Sequence, residues 1–538
     1  MDLILDGNGA FRWSRGPTTA PVLSVAARRL TVEPAPSVGS APRQAEAEAG
    51  AGAGDEGQGQ AGAADPAWPL GPAAPDWPID PAAWAASQFS AAQLGDRRRT
   101  ARLVRLASQI ARDPGSGLPR QAETWGDLKA AYRLLGRPEA TLQAVAAPHW
   151  QLTRGQADRG RLLIIDDTTE IDYGSRRQAA GLGPVGRGTG RGFLLHSALV
   201  VDPRDEWVVG LAGQVPFHRK PAPKGETLAQ KQRRDRESAV WGRLIEQVGS
   251  PPATARWVHV MDRGADDFEV FCRARRVGAD WIGRVKSRNR LVRDAAGAEM
   301  PLSDVLMAMA AAGGYSLALR ARPGRPARRA RVEVAFAPVT TPVPRHPPAS
   351  LKALGPGPIA QWVVRAREMG PPPAVKEPID WVLLTSLPVE DLGAAMEVIG
   401  DYERRWVIEE WHKALKTGCG VERRQLQASP RLEALTGVLS VVAVRLLQMR
   451  EMGRRQPHRA ARELVPADSV GLVHRARRGR GRPEDWTIGE FIGGLAGLGG
   501  FLGRKGDGEP GWITIWRGWD ALNWMLRGVQ LTSQPPGQ

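Results

Sequence analysis

Three carboxylates and one polar helical stripe carry the chemistry this sequence could do. Between Asp401 and Lys416 the chain reads DYERRWVIEEWHKALK, followed by Gly418-Cys419-Gly420. At roughly 100° per residue, Tyr402, Arg405, Glu409 and Lys416 fall within an arc of about 60°. Val407, Ile408, Trp411, Ala414 and Leu415 fall on the opposite side. The spacing predicts an amphipathic helix docked by its apolar face and presenting the polar one, although an Arg405–Glu409 pair four residues apart also suits a helix that only solvates its charges. Further upstream, the apolar run Leu162–Ile165 ends in Asp166-Asp167-Thr168-Thr169, and Trp257–Met261 ends in Asp262-Arg263-Gly264-Ala265-Asp266. Both read as buried strands with a carboxylate at the carboxyl end. Two such Asp and a helical Glu are hard oxygen ligands without His or Cys, a set that suits Mg²⁺ or Mn²⁺ rather than zinc. Two ions about 4 Å apart can activate an attacking oxygen and stabilise a leaving one in phosphoryl transfer. Asp166 could stand in for Asp167, and Asp266 for Asp262. Glu410 lies about 100° from Glu409 and is a poorer ligand candidate. His196, with no second His near it in a strand pattern, reads as a packing histidine.

The elements that must position these groups alternate along the chain. Phe193–Val201 and Trp207–Leu211 read as hairpin strands between the two acidic strands. A helical stretch over Asp267–Arg276 and a strand over Trp281–Val285, leading into Lys286, follow the second. This pattern predicts a mixed sheet with helices on its faces. Residues 290 to 380 hold strand-like pieces between Pro-rich loops and read as a β-rich insertion. Leu432–Met452 is a long apolar helix, His474–Arg482 a basic loop, and Trp512–Leu526 a Trp-rich tail that fits a core or a subunit contact. Near the start, helices from Trp84 and around Trp125–Leu135 carry a cluster of Arg97, Arg98, Arg99, Arg102 and Arg105, suited to backbone contacts on duplex DNA or to a solvated face.

Composition sets the partner class. Lys plus Arg number 74 against 57 Asp plus Glu, a net charge of +17. Residues 1–80 are rich in Ala, Gly, Pro and Glu, read as disordered, and hold ten acidic and five basic residues. Removing that balance of −5 leaves +22 on the remainder, so the basic charge sits on the part that folds. Such a balance favours a polyanion, with nucleic acid first. Only Cys272 and Cys419 occur, without a Cys-x-x-Cys pair, which argues against a disulfide framework or structural zinc and fits a reducing cytoplasm. The sequence has no uninterrupted run of 18 apolar residues and opens on an acidic MDLILDGNG, so secretion and membrane spanning are not expected.

Taken together, Asp167-Thr168-Thr169, Asp262-Arg263-Gly264-Ala265-Asp266 and the Tyr402-x2-Arg405-x3-Glu409-x6-Lys416 spacing resemble the DDE transposases of the insertion-sequence-four, Tn-five-like family. Every gap of the four-residue signature matches. The similarity continues through Trp381–Thr385, Lys413–Gly418, Leu446-Leu447-Gln448, Gly499-Gly500-Phe501 and Trp516–Trp519, and covers about Trp84 to Leu526. The resemblance implies an α/β fold with an RNase H-like catalytic core, a β-rich insertion, an N-terminal helical DNA-binding domain and a C-terminal helical domain. The expected layout is 1–80 extension, 81–150 end-binding domain, 151–290 first part of the core, 291–390 insertion, 391–455 second part of the core, and 456–538 dimerisation domain.

It further implies Asp167, Asp262 and Glu409 as catalytic Mg²⁺ or Mn²⁺ ligands. Tyr402, Arg405 and Lys416 would hold terminal phosphates, Trp381 would stack on a flipped base, and Arg284 and Lys286 would add charge near the centre. Arg97, Arg98, Arg99 and Arg102 would belong to the end-binding domain. The expected activity is cut-and-paste transposition: binding terminal inverted repeats, cleaving through a hairpin, and joining 3′ ends to target DNA, by a homodimer on paired ends in a bacterial cytoplasm, nucleoid-associated when bound to DNA. A structure-selective nuclease on the same core and a catalytically silent DNA-binding derivative are the alternatives.

Overall fold

The computed structural model describes residues 80–538 apart from 176–178, 221–224, 228–236, 320–326, 374, 376–377, 505–506 and 534–538, together with three short strands in the first 79 residues. The expectation of disorder over 1–80 lies almost wholly outside the described residues.

Four helices of nine residues or more precede the sheet: α1 (Pro81–Phe89), α2 (Arg97–Arg112), α3 (Trp125–Leu135) and α4 (Leu142–Gln156). Each starts on a side chain that accepts from an otherwise orphan backbone N–H: Asp80 from Ala83, Asp96 from Arg98, Thr124 from Asp127, and Thr141 from Ala144. Their apolar faces, including Phe89, Leu103, Ile110 and Trp150, join the largest core cluster.

The sheet is built on β1 (Gly160–Asp172). It pairs antiparallel with β2 (Gly190–Asp202), which pairs antiparallel with β3 (Trp207–Phe217). On its other side β1 runs parallel to β4 (Ala255–Met261), and β4 runs parallel to β5 (Asp280–Arg284). The crossover from β4 to β5 carries α6 (Phe268–Arg276), and α5 (Ala239–Val248) precedes β4. The inserted region does not form a sheet of its own. Strands β6 (Arg328–Thr341), β7 (Ile359–Met369) and β8 (Asp380–Thr385) are successively antiparallel, and β8 pairs with β5, so the order is β3-β2-β1-β4-β5-β8-β7-β6 in one sheet.

The chain then turns into α7 (Leu392–Glu403), α8 (Val407–Lys413) and α9 (Ser429–Arg455). Where one regular helix is expected over 401–416, the backbone passes through a 3₁₀ turn at Arg404–Trp406 and a π turn at Ala414–Gly418. Gly420, at φ +57°, takes the left-handed conformation that ends the run. Helix α9 is long and apolar enough to cross a membrane, but 94% of its 18-residue apolar window is buried inside the fold. A helix enclosed on all sides has no need of a polar face. Its polar atoms are spent inside: Gln448 donates to the carbonyls of Val208 and Val209 on β3. Near the C-terminus, α10 (Ile488–Leu498) starts on a capping box of Thr487 and Glu490, and α11 (Trp512–Ser533) packs back on the body. Trp512 and Trp516 are buried and stacked at 5.1 Å, whereas Trp524 is 59% exposed under the Arg120 guanidinium. A Cβ at Gly418 would lie 2.4 Å from the Trp516 ring, so the absent side chain is what lets α11 approach the π turn.

Candidate active site

Asp167 does not end its strand, as the sequence suggested, because β1 runs on to Asp172 along β2. What ends is the parallel pairing: Asp166 is opposite Met261, so Asp167 lies level with Asp262, the first residue beyond β4. Strand alternation then separates the two neighbouring acids. Asp166, 1% exposed, points to the face of Leu162 and Ile164, where it bonds His259 Nδ1 at 2.6 Å. Asp167, on the face of Leu163 and Ile165, points toward α7 and α8 and accepts from Arg405 at 3.1 Å.

The second pair of alternatives separates as clearly. Asp266 is committed to its own loop, accepting from the backbone N–H groups of Lys286 and Ser287 and pairing with Arg290. Asp262 caps the short turn after β4 by accepting from Gly264 N at 2.6 Å, and its charge acts on Asp167. On α8, Glu409 faces the cluster. Glu410 faces away and ties three elements, accepting from Lys413 on its own helix, Arg450 on α9 and Trp512 on α11.

The polar stripe of the sequence is therefore not presented freely to solvent: Tyr402 and Arg405 are buried, and Glu409 and Lys416 are half-buried. Tyr402 and Arg405 are 5% and 7% exposed, and the apolar residues Ile408, Trp411, Ala414 and Leu415 fill the other side. Arg405, expected to grip DNA, pairs with Asp167 inside the acid cluster. Lys416 pairs with Glu422 at 3.3 Å. Tyr402 meets half-buried Trp381 edge to face at 5.4 Å, so these two rings form one aromatic corner beside the acids. Arg284 is half-buried at the end of β5, and Lys286 is exposed just beyond it.

Electrostatics mark the cluster as short of positive charge. Burial pushes the Asp167 pKa well above the ordinary carboxylate value; Arg405 opposes this, and the charges of Glu409 and Asp262 add to it. Burial also works against the Glu409 carboxylate, but His412, Arg405 and Lys413 outweigh it and hold its pKa low. Carboxylates converging where burial and mutual repulsion disfavour the Asp167 charge are a donor set that could hold a divalent ion.

One member was missed from the sequence. His412, 5% exposed, brings a ring nitrogen to the same place: the ligand atoms of Asp167, Glu409 and His412 all lie within 4.8 Å of one another. The set expected from the sequence held no His. The signal was available, since Glu409 and His412 are three apart and so share a helix face. His196 is a packing residue: it is fully buried, bonds Thr168 Oγ1 at 2.6 Å, lies edge-on to Trp241 at 4.1 Å, and burial drops its pKa to about 3.

The helical Arg cluster is more internally neutralised than its sequence suggested. Arg99 pairs with Glu139, Arg102 and Arg105 with the buried Asp127, and Arg112 with Glu123, all on neighbouring segments. Arg97 and Arg98 at the start of α2 are exposed.

Residues 81–140, which contain α1 to α3, match the transposase DNA-binding family model. Among solved structures the chain is similar to a piggyBac transposase synaptic complex with hairpin DNA, at 11% identity over 70% of this chain and 76% of that chain, with a TM-score of 0.34. The helical segment ahead of the sheet is thus similar to transposase DNA-binding domains, which supports DNA binding.

Proposed function

We propose that this chain is a cut-and-paste DNA transposase of the insertion-sequence-four type, with an RNase H-like core in which Asp167, Asp262 and Glu409 hold catalytic Mg²⁺ or Mn²⁺. The observation that carries the reading, in a chain with a segment matching transposase DNA-binding domains, is the meeting of Asp167 on β1 with Glu409 on α8, with Asp262 at the end of β4 close enough for its charge to act on Asp167. The strand order β3-β2-β1-β4-β5, with β2 alone antiparallel, supports the core assignment. The donor set fits the ions, because the buried Asp167 carboxylate carries a charge that Arg405 does not fully offset.

When bound, such ions activate an attacking oxygen and offset charge on the leaving one at a phosphodiester. The chain's own residues do the rest. Arg405 fixes the Asp167 carboxylate by its Nη1 donor, and Asp262 is fixed by the turn it caps. Lys416 exchanges Glu422 for a terminal phosphate as DNA enters, and Arg284 and Lys286 line the approach. The Trp381–Tyr402 corner offers an aromatic face for a base displaced when the end folds into a hairpin. Exposed Arg97 and Arg98 contact the terminal-repeat backbone, and two copies act on paired ends.

The test is cleavage and joining of DNA carrying the repeats that flank the gene. Asp167→Asn, Asp262→Asn and Glu409→Gln each abolish cleavage while end binding persists. Retained cleavage in any variant removes that residue from the ligand set, and wild-type cleavage without joining favours a nuclease.

A further inference from the structure

We propose that His412 is an imidazole ligand of the ion held by Asp167 and Glu409, and that it biases this site toward Mn²⁺ over Mg²⁺. The inference rests on the metal-dependent reading above and deepens it. His412 lies on α8 one turn beyond Glu409, with Nδ1 at 3.7 Å from Glu409 Oε2, too far for a hydrogen bond. Its Nε2 is buried and has no hydrogen-bond partner among the described residues. Leaving such an atom unsatisfied is destabilising, a cost that a bound cation would remove.

The spacing suits an ion. Bonds of about 2.1 Å put ligand atoms roughly 3 Å apart when adjacent and roughly 4 Å apart when opposite. Three atoms within 4.8 Å of one another therefore need only small side-chain rotations to close on a common centre. His196 and His259 also leave Nε2 without a partner among the described residues, but their Nδ1 atoms bond Thr168 and Asp166, and His412 is the histidine whose ligand atom falls with those of Asp167 and Glu409. An imidazole nitrogen added to carboxylates favours Mn²⁺ and later metals, whereas Mg²⁺ prefers an all-oxygen set.

Pulsed electron paramagnetic resonance of the Mn²⁺-loaded full chain, with calorimetric affinities for both metals, tests this. Wild type should show ¹⁴N modulation from a directly bound imidazole, and His412→Gln should lose it, with the Mn²⁺-to-Mg²⁺ affinity ratio falling about tenfold or more. Mn²⁺ bound in an Asp167-dependent way without ¹⁴N coupling, or coupling that survives in His412→Gln, overturns the His412 role and leaves the metal reading standing. A wild-type protein with no Asp167-dependent Mn²⁺ site overturns both. If His412→Gln fails to fold, His196→Gln decides: modulation retained there supports His412, and modulation lost there refutes it.

Discussion

Glu409 and Glu410 are adjacent, equally charged, and placed on opposite tasks, so conservative replacement of each should separate stability from catalysis. Consider Glu410→Gln. The carboxylate accepts from Arg450, whose side chain is 2% exposed, from Trp512 Nε1 at 2.6 Å, and from Lys413 at 2.6 Å. Depriving a buried cation of its partner costs about 3–5 kcal/mol. The Gln oxygen can keep one of the bonds, which puts the expected loss at the lower end, about 3 kcal/mol. Lys413 is 35% exposed, so its pair adds no more than about 0.5 kcal/mol after screening. A loss of this size should lower the urea midpoint by about 1 M or more, given slopes of about 3 kcal/mol per M or less. The sign with pH is fixed. Burial opposes the Glu410 charge, but Arg450 and Lys413 depress its pKa from 4.5 to about 2. Its contribution is therefore present above the unfolded value of 4.5 and lost as pH falls toward 2, so the gap between wild type and variant should close in acid. Glu409→Gln should instead leave the midpoint within about 1 kcal/mol, because it removes a charge that burdens Asp167. A Glu410→Gln protein as stable as wild type, or a Glu409→Gln protein that unfolds, would refute this division.

Three more outcomes follow from the same contacts. Mn²⁺ affinity should climb as pH rises above the ordinary carboxylate range, since burial and the neighbouring acids raise the Asp167 pKa, and a flat calorimetric profile contradicts the shift. By the same sign the metal-free protein loses stability as pH rises through that folded pKa. Replacing Arg97 and Arg98 together by Ala should reduce the salt slope of end binding by about 2 and leave the melt unchanged, whereas Arg102→Ala should lower thermal stability by removing a partner of buried Asp127; equal salt slopes for the double variant and wild type would exclude backbone contacts there. Trp381→Ala should impair hairpin formation more than first nicking on denaturing gels, and equal loss of both would count against stacking.

What the sequence revealed depended on how local each signal was. The apolar run before Asp167 and the helical period of 401–416 are read from neighbours, and the structure has a strand and a helical run there. Which acid of each neighbouring pair faces the site was open, because strand parity relative to α7 and α8 is a tertiary fact. Partial burial of the polar stripe was hidden for the same reason: a solvated face and an active-site wall have the same wheel. The neutralised Arg cluster depends on Asp127 and Glu123, brought next to it only when α2 and α3 pack. His412 was legible as Glu-x-x-His but lay just outside the chosen arc. The pairing of β8 with β5 joins segments about a hundred residues apart, and no local pattern encodes it.

That non-local pairing explains how a long insertion can interrupt the candidate site without loosening it. A segment leaving β5 and re-entering as a separate module would deliver α8 on a flexible tether, with Glu409 free to wander relative to Asp167. Instead β8 returns antiparallel on β5, with Leu383 opposite Arg284 and Thr385 opposite Ile282, and Thr385 Oγ1 donates to the carbonyl of Trp281. The re-entry point is hydrogen-bonded to the strand the chain left. From there α7 is clamped by Asp401, which accepts from Arg161 on β1, and α8 is clamped on its far side by Glu410. Glu409 is thus held between two buried ion pairs, one on the strand that bears Asp167 and one on α9. Positioning within about 0.5 Å, which in-line phosphoryl transfer demands, calls for rigid support of this kind on both sides of the ligand.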